Sequence, residues 1–271
     1  MSQPKIRRVL VIGGSRGIGE AVARGFVEAG DEVAIAARSA AESAATAAAI
    51  GTASFVCDVV HPQAIERVIE NFGPVDVVVN AAAIQGGRGA MGPLWDTDPA
   101  SFAKVIEVNL LGTYNVLRAA LKHMRKRRSG TIVLFSGGGS TAARPGFDAY
   151  GASKTAVLRL AESAQTALDD EGMPVRIFAI APGAVATAMT QEVLDNIERV
   201  PREATAARSV ADGRAGVPPS LAAELCLFLA GGESSALAGR LVHVREDYRG
   251  YVQRKLDDHA GRLRRIDYPD G

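Results

Sequence analysis

The sequence predicts a doubly wound α/β fold, a parallel sheet with helices on both faces. Three observations carry this reading. Seven short runs rich in Val and Ile alternate with longer segments of helical period. The runs are continuously apolar rather than alternating, as strands covered on both faces must be. The first run passes directly into a glycine-rich turn and then a helical segment, the order of a phosphate cradle. A chain of 271 residues, 47% hydrophobic and 23% charged, can bury one large core and is not intrinsically disordered. With no internal repeat and no linker, 1–271 reads as a single domain.

The predicted strands are 9–12, 33–36, 54–57, 75–80, 131–135, 175–180 and 241–244. Helical spacing predicts helices over 18–29, 63–72, 101–127, 149–171 and 221–230. Two segments fall outside the alternation. The stretch 188–219 has weak periodicity, many small residues and Pro201, Pro218 and Pro219, so it reads as a long loop over a substrate pocket. The tail 245–271 carries Tyr248, Tyr251 and Tyr268. It fits a packed surface segment, a pocket lining or a subunit contact equally well.

The glycine turn is Gly13-Gly14-Ser15-Arg16-Gly17-Ile18-Gly19. Gly13 permits a sharp turn, Gly17 lets backbone approach a pyrophosphate, and Gly19 lets helix and strand pack closely. The helix start then offers unpaired N–H groups and a positive dipole end to phosphate. The end of the second strand selects the dinucleotide. An acid there would accept from a ribose 2′-hydroxyl and repel a 2′-phosphate. This chain has Ala37 and then Arg38, whose guanidinium suits bidentate bonding to phosphate, with Arg16 placed to help. The residues therefore favour NADP(H).

Tyr150 and Lys154 stand four apart in a helical segment, so phenol and ammonium share one face. A free tyrosine, with a pKa of about 10, is a poor proton shuttle at neutral pH. A neighbouring ammonium favours the phenolate and lowers that value.

With these residues the chain resembles the short-chain dehydrogenase/reductase superfamily, in its short single-domain branch, over roughly residues 5–244. The carrying motifs are Gly13-x-x-x-Gly17-x-Gly19, Asn80-Ala-Ala-Ala83, Asn109, Tyr150-x-x-x-Lys154 and Pro182-Gly183-x-Val185-x-Thr187. The resemblance implies a Rossmann fold with a sheet of about seven parallel strands, and hydride transfer between a nicotinamide and a carbonyl or alcohol carbon, generally without metal. It makes Tyr150 the acid that protonates the substrate oxygen. Lys154 would lower its pKa and bond the nicotinamide ribose. The Asn109 main chain would hold a water of the proton relay. Asp58 and Val59 would meet the adenine, with helix capping the other role open to Asp58. Asn80 and Ala82 would lie against the adenosine ribose, while Pro182, Gly183, Val185 and Thr187 cover the nicotinamide. Ser15 and Ile18 complete the cradle.

Departures from the family pattern sharpen the question. The usual place of the catalytic serine falls on Gly137. Ser136 stands one residue earlier, and the glycines at 137–139 would let it slide into that place. Ser140, or no serine at all, are the other options. Loss of an oxyanion donor typically costs about 10²–10³ in rate. The family's Asp-Gly-Gly after the last strand is replaced by Arg245-Glu246-Asp247-Tyr248.

Other classes are excluded or disfavoured. A net charge of +1 supplies no field for nucleic acid or anionic lipid. No apolar run reaches the roughly 18–20 residues that span a bilayer. Cys57 and Cys226 form no CxxC, which suits a reducing, cytoplasmic compartment. His61, His123, His243 and His259 are scattered, without metal-ligand spacing or a hydrolase triad. The basic run 122–128 reads as a solvated helix end, and Trp95 as a packing anchor or pocket wall. The expectation is an NADPH-dependent reductase of a ketone in a small or medium organic substrate, working as a homodimer or homotetramer. Its Ala- and Arg-rich composition suits a secondary-metabolite tailoring step from a high-GC genome. The alternative, motivated by Gly137, is an NADP(H)-binding regulator or interaction protein without turnover.

Overall fold

The computed structural model describes residues 6–137, 139–254, 256–258 and 260–263. Gly138, His259 and Tyr268 lie outside the described residues. The strands are β1 (Arg8–Ile12), β2 (Glu32–Ala37), β3 (Ala53–Val56), β4 (Val77–Asn80), β5 (Gly130–Phe135), β6 (Val175–Ala181) and β7 (Leu241–His243). The helices are α1 (Gly17–Glu28), α2 (Ala40–Ile50), α3 (Pro62–Phe72), α4 (Gly87–Ala90), α5 (Pro99–Ile106), α6 (Gly112–Arg127), α7 (Asp148–Asp170), α8 (Ala188–Leu194), α9 (Pro201–Ala211), α10 (Ser220–Ala230) and α11 (Tyr248–Tyr251). All strand pairs are parallel, in the order β3-β2-β1-β4-β5-β6-β7.

The apolar strands are explained by the two layers they feed. Leu10 and Ile12 pack with α3, α6 and α7, while Val9 and Val11 pack with α1, α2 and α10. Each fully buried aliphatic side chain contributes about 1.5–3 kcal/mol of transfer free energy. A strand so covered has no polar face, hence no alternation. β1 lies between β2 and β4, with Ile12 beside both Ala36 and Asn80. The winding reverses there, and a crevice opens beyond the carboxyl ends of β1 and β4.

Three segments differ from the sequence expectation. Helix α2 has seven alanines among its eleven residues, so it carries little hydrophobic contrast to read. Its N-terminus is set by Ser39, whose Oγ accepts from Glu42 N at 3.2 Å. The expected single helix over 101–127 is α5, a π-helical turn Glu107–Leu111, and α6. The expected loop 188–219 holds α8 and α9. Pro201 occupies the first turn of α9, where its missing N–H costs nothing. Val193, Val200 and Ala204 pack these helices on Met91 and Phe147.

The tail is packed against the body as far as it is described. Tyr248 is buried with its ring 5.1 Å from that of Phe228. Leu241 N, on the edge strand β7, donates to Gly261 O at 2.7 Å, and Leu263 N to Glu162 Oε1 at 2.6 Å. The tail thus covers part of a sheet edge that would otherwise be open to pairing. Among the described residues no helix is long and apolar enough to cross a membrane, and no group of three His, Cys, Asp or Glu is placed to hold a metal ion.

Candidate active site

A cavity of about 1180 Å³ lies at the crevice. Gly13, Ser15, Arg16, Gly17, Ile18, Gly19, Arg38, Val59, Ala82 and Thr187 line it, so ten of the sequence-predicted residues converge there. The glycines are dictated by space. Gly13 has φ of +79°, and a Cβ on it would lie 2.5 Å from Ala82 N. A Cβ on Gly19 would lie 2.1 Å from Gly13 O. Only bare backbone allows the turn, the β4 loop and the start of α1 to meet, leaving helix N–H groups facing the cavity. This cradle fits a dinucleotide pyrophosphate.

Other predicted residues stand behind the wall. Asn80 is buried, donating to Thr113 Oγ1 (3.0 Å) and accepting from Ala82 N (3.3 Å), which fixes the loop after β4. Asp58 Oδ1 accepts from Val60 N at 3.1 Å in the turn before α3. Pro182 and Gly183 lead the chain out of β6. Val185 O accepts from Thr190 Oγ1 (2.8 Å), and the same hydroxyl accepts from Thr187 N (3.3 Å), setting the start of α8. Sequence reasoning missed Glu42, Lys104, Met189 and Glu192, which also line the cavity. The spacing Ser39-x-x-Glu42 is a capping pattern that signals α2 and, with it, Glu42.

Tyr150 and Lys154 lie one turn apart on α7, with Lys154 Nζ 5.6 Å from the Tyr150 ring centroid. Lys154 is buried and donates from Nζ to Phe135 O at 2.8 Å. Burial pushes its pKa down to about 8. Burial also raises the Tyr150 pKa above its usual value, with the Arg144 guanidinium acting the other way. This differs from the lowering expected of Lys154. The phenol packs among Met91, Phe147, Val193 and Val105, and the ammonium is engaged by the Phe135 carbonyl.

Asn109 sits in the π-helical turn and is fully buried. Its side chain bonds both Ile84 N and Ile84 O (2.9 Å each) and donates to Ser153 Oγ (3.1 Å). Ser153 Oγ donates in turn to Tyr150 O at 2.7 Å, so Asn109 couples the β4 loop to the helix that carries the phenol. The π turn alters the carbonyl ladder here, and Asn109 O accepts from Thr113 Oγ1 at 2.6 Å. Ser136 is buried, and its hydroxyl donates to Lys154 O at 3.0 Å. Ser140 Oγ donates to Gly137 O at 2.8 Å, and Gly137 itself has φ of +125°.

The sequence profile of the short chain dehydrogenase family matches residues 7–198, which is more than half of the chain. The chain belongs to that family. This short-chain dehydrogenase is an oxidoreductase that uses a nicotinamide dinucleotide and acts on CH–OH and C=O groups. It is 37% identical to the short-chain reductase protein NovJ of Streptomyces niveus over 251 residues, covering 87% of this chain and 91% of that one. A crystal structure of a variant actinorhodin polyketide ketoreductase with NADPH superposes with a TM-score of 0.79 at 28% identity, covering 90% of this chain and 97% of that one. A 3-oxoacyl-[acyl-carrier protein] reductase with bound NAD from Brucella melitensis superposes with a TM-score of 0.74 at 28% identity, covering 88% and 89%. The solved neighbours of this short-chain dehydrogenase thus include both NADPH and NAD complexes.

Proposed function

We propose that this short-chain dehydrogenase is an NADPH-dependent reductase of a ketone in a small or medium organic substrate. The observation that carries the cofactor preference is the pair Arg16 and Arg38 on the cavity wall, with Ala37 at the end of β2 where an acid would exclude a 2′-phosphate. The glycine turn would hold the pyrophosphate, Asp58 and Val59 the adenine, Asn80 and Ala82 the adenosine ribose. Lys154 would bond the nicotinamide ribose, and residues 182–187 would cover the nicotinamide ring. When bound, the cofactor supplies hydride to the carbonyl carbon. The chain's part is to orient the substrate, exclude water and deliver a proton from Tyr150 Oη to the developing alkoxide. Asn109 keeps the β4 loop and α7 in register for that transfer, and its main chain belongs to the proton relay.

In this reading Ser136 reaches a substrate oxygen only by turning its hydroxyl away from Lys154 O. If it does so, Ser136→Ala is expected to lower kcat by about 10²-fold or more at unchanged cofactor affinity. An unchanged kcat would leave Ser136 as a tether of β5 to α7 and the substrate oxygen to Tyr150 alone. The segment 188–219, with the cavity-lining Met189 and Glu192, would form the substrate side of the pocket.

A secondary-metabolite tailoring role is supported by likeness to a polyketide ketoreductase. A homodimer or homotetramer built on α6 and α7 fits the exposure of Tyr114 on α6 and of Leu111 in the turn that leads into it. A cytoplasmic setting fits two unpaired, buried cysteines. The test is nicotinamide absorbance with NADPH and with NADH over a panel of chemically varied ketones. Turnover that favours NADPH supports the reading, whereas tight NADPH binding without any turnover favours the binding-only alternative suggested by Gly137. Arg38→Asp is expected to weaken NADPH binding by about tenfold or more while sparing NADH, read as Kd by calorimetry. Equal effects on the two cofactors would remove Arg38 from phosphate recognition.

A further inference from the structure

We propose that Glu42 is the residue that limits how strongly this cavity prefers NADPH over NADH. The inference rests on the NADPH reading above and concerns the arginine that would meet the 2′-phosphate. Glu42 stands in the first turn of α2, with its backbone N–H taken by Ser39 Oγ. Its carboxylate reaches back over the glycine turn. Oε1 lies 3.7 Å from Arg16 Nη1, and Oε2 accepts from Ser15 Oγ at 3.5 Å. One turn further on, Thr46 Oγ1 donates to Ser15 O at 2.7 Å, so α2 is keyed to the turn and holds Glu42 opposite Arg16. Ser15, Arg16, Arg38, Ser39 and Glu42 line the same cavity.

The carboxylate acts on the two cofactors in opposite senses. The Arg16–Glu42 pair is exposed, with side chains 66% and 47% accessible, so it is weak and readily broken. A 2′-phosphate arriving at Arg16 must displace Glu42 and then share its surroundings with a like charge. A ribose 2′-hydroxyl meets no such repulsion and can donate to the carboxylate. Glu42 therefore offsets part of the preference that Arg16 and Arg38 create.

The experiment is calorimetric titration of the full chain with NADPH and with NADH, without substrate. Glu42→Gln keeps the shape and removes the charge. It is expected to lower the Kd for NADPH about five-fold and to leave the Kd for NADH unchanged or raised. The gain should shrink with added salt and in an Arg16→Ala background. Glu42→Asp, which retains the charge, should bind NADPH no more tightly than the unsubstituted chain, which guards against a merely structural effect. An NADPH/NADH ratio that does not move in Glu42→Gln, or a gain shared by both cofactors, overturns the role of Glu42. The failure of the underlying reading is separate, since it would appear as a preference for NADH in the unsubstituted chain.

Discussion

Tyr150→Phe is expected to cut ketone reduction by about 10³-fold or more while NADPH still binds with its original affinity. The substitution removes one hydroxyl and keeps the ring that packs on Met91, Phe147 and Val193. Binding and folding therefore report separately from chemistry. The pH dependence gives the same residue a second signature. Burial holds the Tyr150 pKa above its ordinary value, so the phenol keeps its proton throughout the neutral range. Reduction needs the protonated phenol, so Tyr150 itself should impose no fall in kcat until pH approaches its raised pKa, whereas a fall as pH passes about 8 would report loss of the Lys154 charge. Alcohol oxidation needs the phenolate and should rise as pH approaches the raised Tyr150 pKa. Steady-state rates in both directions, in matched buffers, check this. A Tyr150→Phe protein that retains more than about a tenth of its rate would transfer the proton by another route, such as water held near Asn109.

The sequence made the frame legible where the determining interactions are local or two-sided. A strand such as β1, buried in both layers, cannot help being continuously apolar. The cradle is readable because Gly19 answers to Gly13 O within the same turn, even though Gly13 makes room for Ala82 of the distant β4 loop, and the Tyr150–Lys154 pair because one helical turn brings the two together. What escaped is set by partners far along the chain. Helix α2 is Ala-rich and acquires its place from Thr46 on the glycine turn and from a core shared with α1. Helices α8 and α9 are short, rich in small residues and interrupted near Pro201, and they form by packing on Phe147 and Met91. The π turn at Asn109 follows from a side chain that satisfies both backbone groups of Ile84, a contact 25 residues away. The bond from the Ser136 hydroxyl to Lys154 O is likewise invisible in the sequence, because it exists only once β5 and α7 have packed.

Lys154→Met is expected to abolish efficient turnover, by at least about 10²-fold, and yet to leave the free protein as stable or more stable at neutral pH. The ammonium is buried at 2% exposure, and desolvation brings its pKa to about 8 against about 10.4 for a free lysine. Below pH 8 the folded protein therefore carries a charge that burial disfavours, at a cost of about 3 kcal/mol. The hydrogen bond to Phe135 O offsets part of this, about 1.5–3 kcal/mol for a charged donor. Methionine fills a similar volume with no charge, so a net gain of about 1 kcal/mol, or about 2–4 °C in Tm, is expected. The sign with pH follows from the depressed value. The cost is fully present below pH 8 and is relieved as pH rises from about 8 toward about 10.4, where the lysine is neutral in both states. The Tm difference between Lys154→Met and the unsubstituted chain should therefore close as pH is raised across that window. If the methionine variant is less stable at every pH, the ammonium is a net structural tie between α7 and β5. If it gains stability and loses turnover, the lysine is held in an unfavourable place by its function, and its cost to the fold measures how strongly the site requires a charge beside Tyr150.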